Sequence, residues 1–334
     1  MIYVTGGTGF LGRHLIPALC RQNYSIRVLT RFPEDNQWLN QYPNVVIVKG
    51  DLTDFESIAS SIKGSRIIIH AGGHFRLWGE ADEFMSANVD GTRNMLEAAR
   101  LAGVERFIHV SSIAVIGQPD PQNVIDETYP PSPADAYQKS KYDAEQIALS
   151  YFQDYQLPVI ILRPGAYYGP LGEYAFNRLF FRDAMRGIIM QINGGRYIIF
   201  PAYISDVVQG ILLAKDRAAL GEVYNICGDW ISHRYAFDII CDEAGLKWPR
   251  PPVPGWLGIN ASRILEMIAR LTHREPFWPI NLRSYVYNNW RVSNEKARRE
   301  LGFSPTSFRA GARRTIAWYR AGQPDIIPEI ECDG

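Results

Sequence analysis

The sequence predicts an α/β fold, a doubly wound parallel sheet carrying a smaller C-terminal lobe. Three observations predict it. Short runs rich in Val and Ile alternate with helical stretches through the first half, as strands buried on both faces of a parallel sheet do. A glycine-rich turn, Gly6-Gly7-Thr8-Gly9-Phe10-Leu11-Gly12, joins the first run to the first helical stretch. The alternation breaks after Gly165 and returns once, ahead of a proline-rich segment, which marks off a second lobe. Residues 1–165, with 201–227 returning to them, are expected to form the sheet domain. Residues 166–200 and 228–334 form the smaller lobe.

Each element follows in order. Residues 2–5 are the first strand and 10–22 the first helix. Residues 25–30 and 45–48 are the next strands, and 66–70 another. A helix is expected over 82–102, a strand over 107–111, a long helix over 137–155 and a strand over 159–162. Residues 166–200 are rich in Gly, Tyr, Phe and Arg and irregular. One helix–strand pair returns at 204–215 and 222–227. Pro249, Pro251, Pro252 and Pro254 mark a linker or lid before an amphipathic helix at 259–271. The tail from 294 to 320 reads as helical around a Gly302-Phe303-Ser304-Pro305 break.

Composition narrows the function. Lys plus Arg is 35 and Asp plus Glu is 35 among 334 residues, a formal net charge of zero. That argues against nucleic-acid binding through a broad basic surface. Hydrophobic residues at 46% and charged residues at 21% exclude a mainly disordered chain. Cys20, Cys227, Cys241 and Cys332 form no CxxC pair and have no His at ligand spacing, so neither a disulfide framework nor a metal site is expected. No apolar run reaches the roughly 18 residues of a membrane span. Met1-Ile2-Tyr3-Val4 lacks a basic leader, so the cytoplasm is the expected location.

The glycine turn carries chemistry. Gly6 allows a tight turn, Gly9 lets a phosphate approach the backbone, and Gly12 lets helix and strand pack closely. The helix start then offers free N–H groups to a pyrophosphate. With Thr8, Phe10 and Leu11, these residues form a dinucleotide-binding turn of the Rossmann type. Such sites place an acid at the end of the second strand for the ribose 2′-hydroxyl. Here that strand ends Val28-Leu29-Thr30-Arg31. Arg31 suits a 2′-phosphate, so NADP is expected ahead of NAD.

Tyr137 and Lys141 stand four residues apart, on one helix face. A phenol titrates near ~10, and a nearby ammonium favours the phenolate. Ser112, at a strand end, can hydrogen-bond the same substrate oxygen. Together the three can move a proton at an oxygen while hydride moves at its carbon.

These motifs resemble the extended short-chain dehydrogenase/reductases, within the broader epimerase/dehydratase group, from Tyr3 to about Tyr319. Gly50-Asp51-Leu52-Thr53-Asp54 resembles the segment that holds the adenine, so the resemblance gives Asp51 and Leu52 that role. His70-Ala71-Gly72-Gly73 resembles the segment lining the cofactor, which adds Ala71, Gly72 and Gly73. Asn88-Val89-Asp90-Gly91-Thr92-Arg93-Asn94 resembles the helix whose Asn orders the active site, so the resemblance gives Asn88 that role beside the cofactor. Val110-Ser111-Ser112 resembles the segment with the catalytic Ser. The 25-residue step to Tyr137 selects Ser112, with Ser111 beside the cofactor. Arg163-Pro164-Gly165-Ala166-Tyr167-Tyr168-Gly169-Pro170 resembles the turn that packs on the nicotinamide, giving Pro164, Gly165 and Tyr167 that place. Arg291-Val292-Ser293-Asn294-Glu295-Lys296-Ala297 resembles the C-terminal signature. Arg76-Leu77-Trp78 and the stretch from Arg270 to Pro276 are similar to a branch of dihydroflavonol reductase-like and hopanoid-associated sugar epimerase-like proteins.

Ser112 is followed by Ile113-Ala114 where sugar dehydratases of this group carry an Asp-Glu pair. Ile199, Phe200 and Pro201 stand where sugar-nucleotide enzymes of the group carry Arg-Asp-Phe. His74, Trp78, Tyr174, Phe176 and Tyr203 are the expected substrate residues, with a stripe of Ile259, Ile264, Leu265, Ile268 and Leu271 near Trp256. Such walls suit an apolar small molecule. The expected function is therefore an NAD(P)-dependent oxidoreductase acting on a ketone, aldehyde or secondary alcohol. A nucleotide-sugar epimerase using the same three residues is the alternative. A non-catalytic NAD(P) sensor is disfavoured because Tyr137 and Lys141 are both present. A homodimer is expected through Met95, Leu96, Ala99, Ile147, Ala148 and Tyr151. The proline-rich stretch and the helix after it are expected to form a lid or to touch a membrane surface.

Overall fold

The chain opens with β1 (Ile2–Thr5), α1 (Phe10–Arg21), β2 (Ile26–Thr30), β3 (Val45–Lys49), α2 (Phe55–Ser61) and β4 (Ile67–His70). It continues with α3 (Ala81–Phe84), α4 (Gly91–Ala102), β5 (Arg106–Val110), α5 (Ala136–Tyr155) and β6 (Val159–Pro164). The second part holds β7 (Ala166–Tyr168), α6 (Asp183–Met185), β8 (Gln191–Ile192), β9 (Ile198–Ile199), β10 (Pro201–Tyr203), α7 (Ile204–Arg217) and β11 (Val223–Ile226). It ends with β12 (Ile231–Ser232), α8 (His233–Glu243), β13 (Pro252–Val253), α9 (Gly255–Thr272), α10 (Leu282–Val286), α11 (Glu295–Leu301) and α12 (Phe308–Arg320). This computed structural model describes residues 1–247 and 249–325, so Cys332 and the end of the expected lobe lie outside the described residues.

Seven parallel strands form the central sheet in the order β11-β6-β5-β4-β1-β2-β3. Strand β1 pairs with β2 on one side and β4 on the other, so the order reverses there. The crevice beyond the carboxyl ends of β1 and β4 is where such sheets bind ligands. Strand β11 pairs with β6 and closes the far edge.

Strand alternation divides the core into two layers. Tyr3, Ile68, Phe107, Val159 and Ile161 face α4 and α5, against Met95, Leu96, Ala99 and Ala148. Val4, Ile69, Ile108, Ile160 and Leu162 face the other way, against Leu15, Ile16, Val207 and Ile211. This corrects part of the expected dimer surface. Met95, Leu96, Ala99 and Ala148 are fully buried within one chain, because they cover its own sheet. Ile147 and Tyr151 remain partly exposed at the edge of that layer.

The helix expected over 82–102 is interrupted. A π-helical turn, Met85–Asp90, separates α3 from α4 and contains Asn88. Such turns concentrate at functional sites.

The amphipathic helix is present as α9, with its apolar stripe on the outside. Gly255, Ser262 and Ala269, seven residues apart, are its buried residues. Small side chains let the helix lie close to the body. Ile264, Ile268, Leu271 and Trp256 are consequently exposed and do not line a pocket. Leu265 packs inward, against a small cluster of Leu77, Ile192, Trp278, Leu282 and Val286, and Ile259 is half-buried.

Candidate active site

The glycine turn sits at the switch point. Gly6 has φ +69°, and a Cβ there would lie 2.5 Å from the Ala71 carbonyl oxygen. At Gly12 a Cβ would fall 2.2 Å from the Gly7 carbonyl. Both positions therefore need glycine for the fold itself. Gly9 differs: the nearest atom to its Cβ position is 3.5 Å away, an ordinary contact. Gly9 is exposed, caps α1, and makes no side-chain cap bond to the first-turn N–H groups. Protein packing leaves this cradle open, and its donors suit a pyrophosphate. The open turn thus fits a dinucleotide, whose phosphates the expected residues Gly6, Thr8, Gly9, Phe10, Leu11 and Gly12 would hold.

Around this turn the other expected cofactor residues gather at strand ends. Asp51 follows β3, and its carboxylate accepts from the Thr53 amide and hydroxyl, each at 2.9 Å. The Arg31 guanidinium lies 4.0 Å from that carboxylate and is 67% exposed, which leaves it available to an incoming anion. Ala71, Gly72 and Gly73 follow β4, and the Gly72 amide donates to Thr5 Oγ1 at 3.0 Å. Gly91 approaches Leu52 closely: a Cβ there would lie 2.9 Å from Leu52 Cβ. Pro164 ends β6, and Gly165 packs so tightly that a Cβ would meet the Phe200 carbonyl oxygen at 2.4 Å. Tyr167 meets Phe10 edge-on at 6.5 Å.

Helix α5 is started by Asp135, whose carboxylate accepts from the Gln138 amide at 2.8 Å. Tyr137 and Lys141 then stand one turn apart. Ser112 caps the short 3-10 turn after β5 by accepting from the Ala114 amide at 3.1 Å. Burial pushes the Tyr137 phenol above its usual range, Ser112 draws it back, and Asp135 pushes it up further. The Lys141 ammonium donates to the Val110 carbonyl at 2.9 Å. Burial lowers its pKa to about 8, against a raising influence from Glu145. The sequence-based expectation placed Lys141 as the group that lowers the phenol. In the structure Ser112 exerts a lowering pull on the phenol.

Several supporting contacts escaped the sequence reading, which named Asn88 and Ser111 but not their partners Ser140 and Glu145. Asn88 Nδ2 donates to the His74 carbonyl at 3.0 Å and to Ser140 Oγ at 2.9 Å, while the His74 amide donates to Asn88 Oδ1 at 2.7 Å. Ser140 in turn donates to the Tyr137 carbonyl at 2.8 Å. Buried Glu145 accepts from Ser111 Oγ at 2.8 Å and forms an ion pair with buried Arg163. His70 is clamped between Thr5 Oγ1, 2.7 Å away, and Thr92 Oγ1, 3.0 Å away. Burial lowers its pKa to about 3, so the ring is neutral. His109 on β5 is buried with its ring 5.5 Å from that of His70. These partners come from sequence-distant strands, and no local spacing signals them.

An apolar wall faces Tyr137. The Phe75 ring lies 4.8 Å from that of Tyr137 and 5.6 Å from that of Tyr174. Phe84 lies 6.0 Å from Tyr137. Tyr174 accepts from the Leu77 amide at 2.8 Å, donates to Glu275, and sits under the Arg76 guanidinium. His74 packs on Phe84, with Nε2 3.8 Å from Glu83. Trp78 is half-buried beside Leu77. Phe75 and Phe84 are the members of this wall that the expected substrate set lacked.

Two expected substrate residues belong elsewhere. Phe176 stacks on Phe180 at 4.2 Å, and Tyr203 packs on Tyr168 at 5.4 Å. Both are buried in an aromatic core that α12 closes with Phe308. Ile199, at the position where sugar-nucleotide enzymes of the group carry Arg, is buried, and Phe200 beside it packs on Trp290 at 4.5 Å. Arg178 donates to the Phe277 carbonyl at 2.7 Å.

The model of the NAD dependent epimerase/dehydratase family matches residues 2–227. A putative dihydroflavonol 4-reductase of Synechocystis is 31% identical, with 95% of this chain and 94% of that protein covered. A 4-hydroxy-2-methyl-3-oxo-4-farnesyl-3,4-dihydroquinoline-1-oxide ketoreductase of Stigmatella aurantiaca is also 31% identical, over 90% of this chain and 91% of its own length. A crystal structure of a dTDP-glucose 4,6-dehydratase double mutant from Streptomyces venezuelae, with NAD and DAU bound, superposes with a TM-score of 0.79 at 26% identity, covering 96% of this chain and 97% of that one.

Proposed function

The chain belongs to the NAD dependent epimerase/dehydratase family, and from that premise we propose an NAD(P)-dependent oxidoreductase, of the extended short-chain type, that reduces a ketone or aldehyde or oxidises the matching alcohol on an apolar small molecule. One observation carries this reading: Tyr137, one helical turn from Lys141, faces the wall of Phe75, Phe84 and Tyr174. The two relatives named above for ketone reduction support it. Their names describe ring systems with few charges, one of them carrying a farnesyl chain.

The nicotinamide supplies the hydride for reduction and takes it back in oxidation. Tyr137 donates its phenolic proton to the substrate oxygen as charge develops there. Ser112 holds that oxygen by hydrogen bonding and stabilises the phenolate left behind. The Lys141 ammonium adds positive charge on the same helix face and binds the nicotinamide ribose. Phe75 and Tyr174 exclude water from the reacting carbon.

NADP is the proposed cofactor, because Arg31 is exposed at the end of β2, where a 2′-phosphate would lie. The protein acts in the cytoplasm as a homodimer, through the parts of α4 and α5 that remain exposed, including Leu101 and Tyr155.

Nicotinamide absorbance followed over time with NADPH or NADH tests the reading. Steady consumption with apolar ketones or aldehydes is expected. Isomer formation from a nucleotide sugar with no net consumption would replace it with an epimerase.

A further inference from the structure

The outer face of α9 carries Leu257, Ile264, Ile268 and Leu271 in one stripe, with Trp256 and Met267 beside it. All six are exposed, Leu271 to 79% and Trp256 to 66%. Helix α9 is anchored by Gly255, Ser262 and Ala269 on its opposite side. The apolar stripe is therefore built into the helix phase and set outward. No helix among the described residues is long and apolar enough to cross a membrane.

Charge selects the occupant. Arg263 and Arg270 flank the stripe, and Arg274 follows the helix; all three are exposed. The one acid of α9, Glu266, points the other way and accepts from the Ile280 amide at 2.9 Å. An apolar stripe rimmed by arginines, on a chain whose net charge is zero, matches the boundary between acyl chains and anionic headgroups. Arg side chains can lay their stems along the acyl region and keep their guanidinium groups among the phosphates.

We propose that α9 is an interfacial helix that docks this protein onto an anionic lipid bilayer. The docked face adjoins the cleft. Leu265, on the inner side of α9, packs in the cluster that includes Tyr174. Glu275, just beyond the helix, is bonded to Tyr174, whose ring meets Phe75 beside Tyr137. A bilayer under α9 would thus present a membrane-dissolved carbonyl compound next to the apolar wall. That last step rests on the proposed oxidoreductase reading; docking itself does not.

The test is flotation of the full chain with phosphatidylcholine vesicles, with and without phosphatidylglycerol, in the absence of substrate. The expected result is binding to the anionic vesicles only. Replacing Ile264, Ile268 and Leu271 together by Ser should abolish it. Arg263→Gln with Arg270→Gln should weaken it about 30-fold. All these positions are exposed, so thermal melting should be unchanged in each variant. Failure of the wild type to float, or equal flotation of the triple-Ser variant, overturns the proposal. So does a wild-type dimer that the triple-Ser change converts to monomer, since a second copy would then cover the stripe. Turnover of a water-soluble aldehyde without vesicles is measured in parallel. Its absence, with vesicle binding intact, would count against the reaction and leave docking standing.

Discussion

Asn88 donates to the Ser140 hydroxyl across 2.9 Å, tying the π-helical turn before α4 to the helix that carries Tyr137 and Lys141. The same amide clamps His74 on the strand-end loop. One buried side chain thus fixes the loop that carries Phe75 relative to the phenol that Phe75 faces. Asn88→Ala should lower kcat and raise KM together, because it loosens both the helix that carries Tyr137 and the loop that carries Phe75. It should also cost about 1–3 kcal/mol of stability through the partners left unpaired. Denaturant unfolding alongside steady-state kinetics checks both. An effect on stability alone would make Asn88 purely structural.

Tyr137→Phe should retain the fold and lose turnover by roughly 100- to 10,000-fold, the usual worth of a positioned acid or base. The ring contacts to Phe75 and Phe84 survive the change. Near-normal cofactor consumption by this variant would defeat the proposed mechanism.

The glycine turn separates folding from binding at two positions three residues apart. Gly12→Ala should be destabilising, since its Cβ would collide with the Gly7 carbonyl. Gly9→Ala should leave the melting temperature nearly unchanged, because nothing in the protein lies closer than 3.5 Å to the added atom. Its cost should appear in cofactor affinity, measured by titration of NADPH fluorescence. Unchanged affinity would mean that the phosphates do not approach Gly9.

Arg31→Ala should weaken NADPH by about 10-fold and leave NADH almost unaffected, as expected for a charge-assisted hydrogen bond to the 2′-phosphate. Tighter binding of NADH than NADPH by the wild type would overturn the NADP assignment.

Lys141 gives a pH signature. Burial lowers its pKa from 10.5 to about 8, so between those values the unfolded chain holds a proton that the folded chain has released. Unfolding free energy therefore gains from this group as pH rises through that window, and the gain is lost as pH falls back through about 8. Comparing the wild type with Lys141→Met by denaturant unfolding from pH 7 to 10 should show a wild-type excess slope that the variant lacks. Parallel curves would place the ammonium in a wetter setting than its contacts imply.

Local pattern carried much of this protein by itself. The Val- and Ile-rich runs, the glycines at 6, 9 and 12, and the spacing of Tyr137 and Lys141 all depend on neighbours within one turn or one strand. The parallel sheet and the turn at its switch point were legible for that reason. The direction in which an apolar side chain points was not. Met95 and Leu96 cover the chain's own sheet, and Phe176 and Tyr203 join an aromatic core. Ile264 and Leu271 face outward because three small residues on the other side of α9 take the packing contact. Hydrophobicity is the same signal whether a residue meets core, cleft or solvent, and the partner across the gap often comes from a different, sequence-distant element. The clamps at Asn88, at His70 and at Glu145 with Arg163 were likewise decided only in three dimensions. A buried polar group must find its partner wherever the fold brings one, and the sequence around it records only the need.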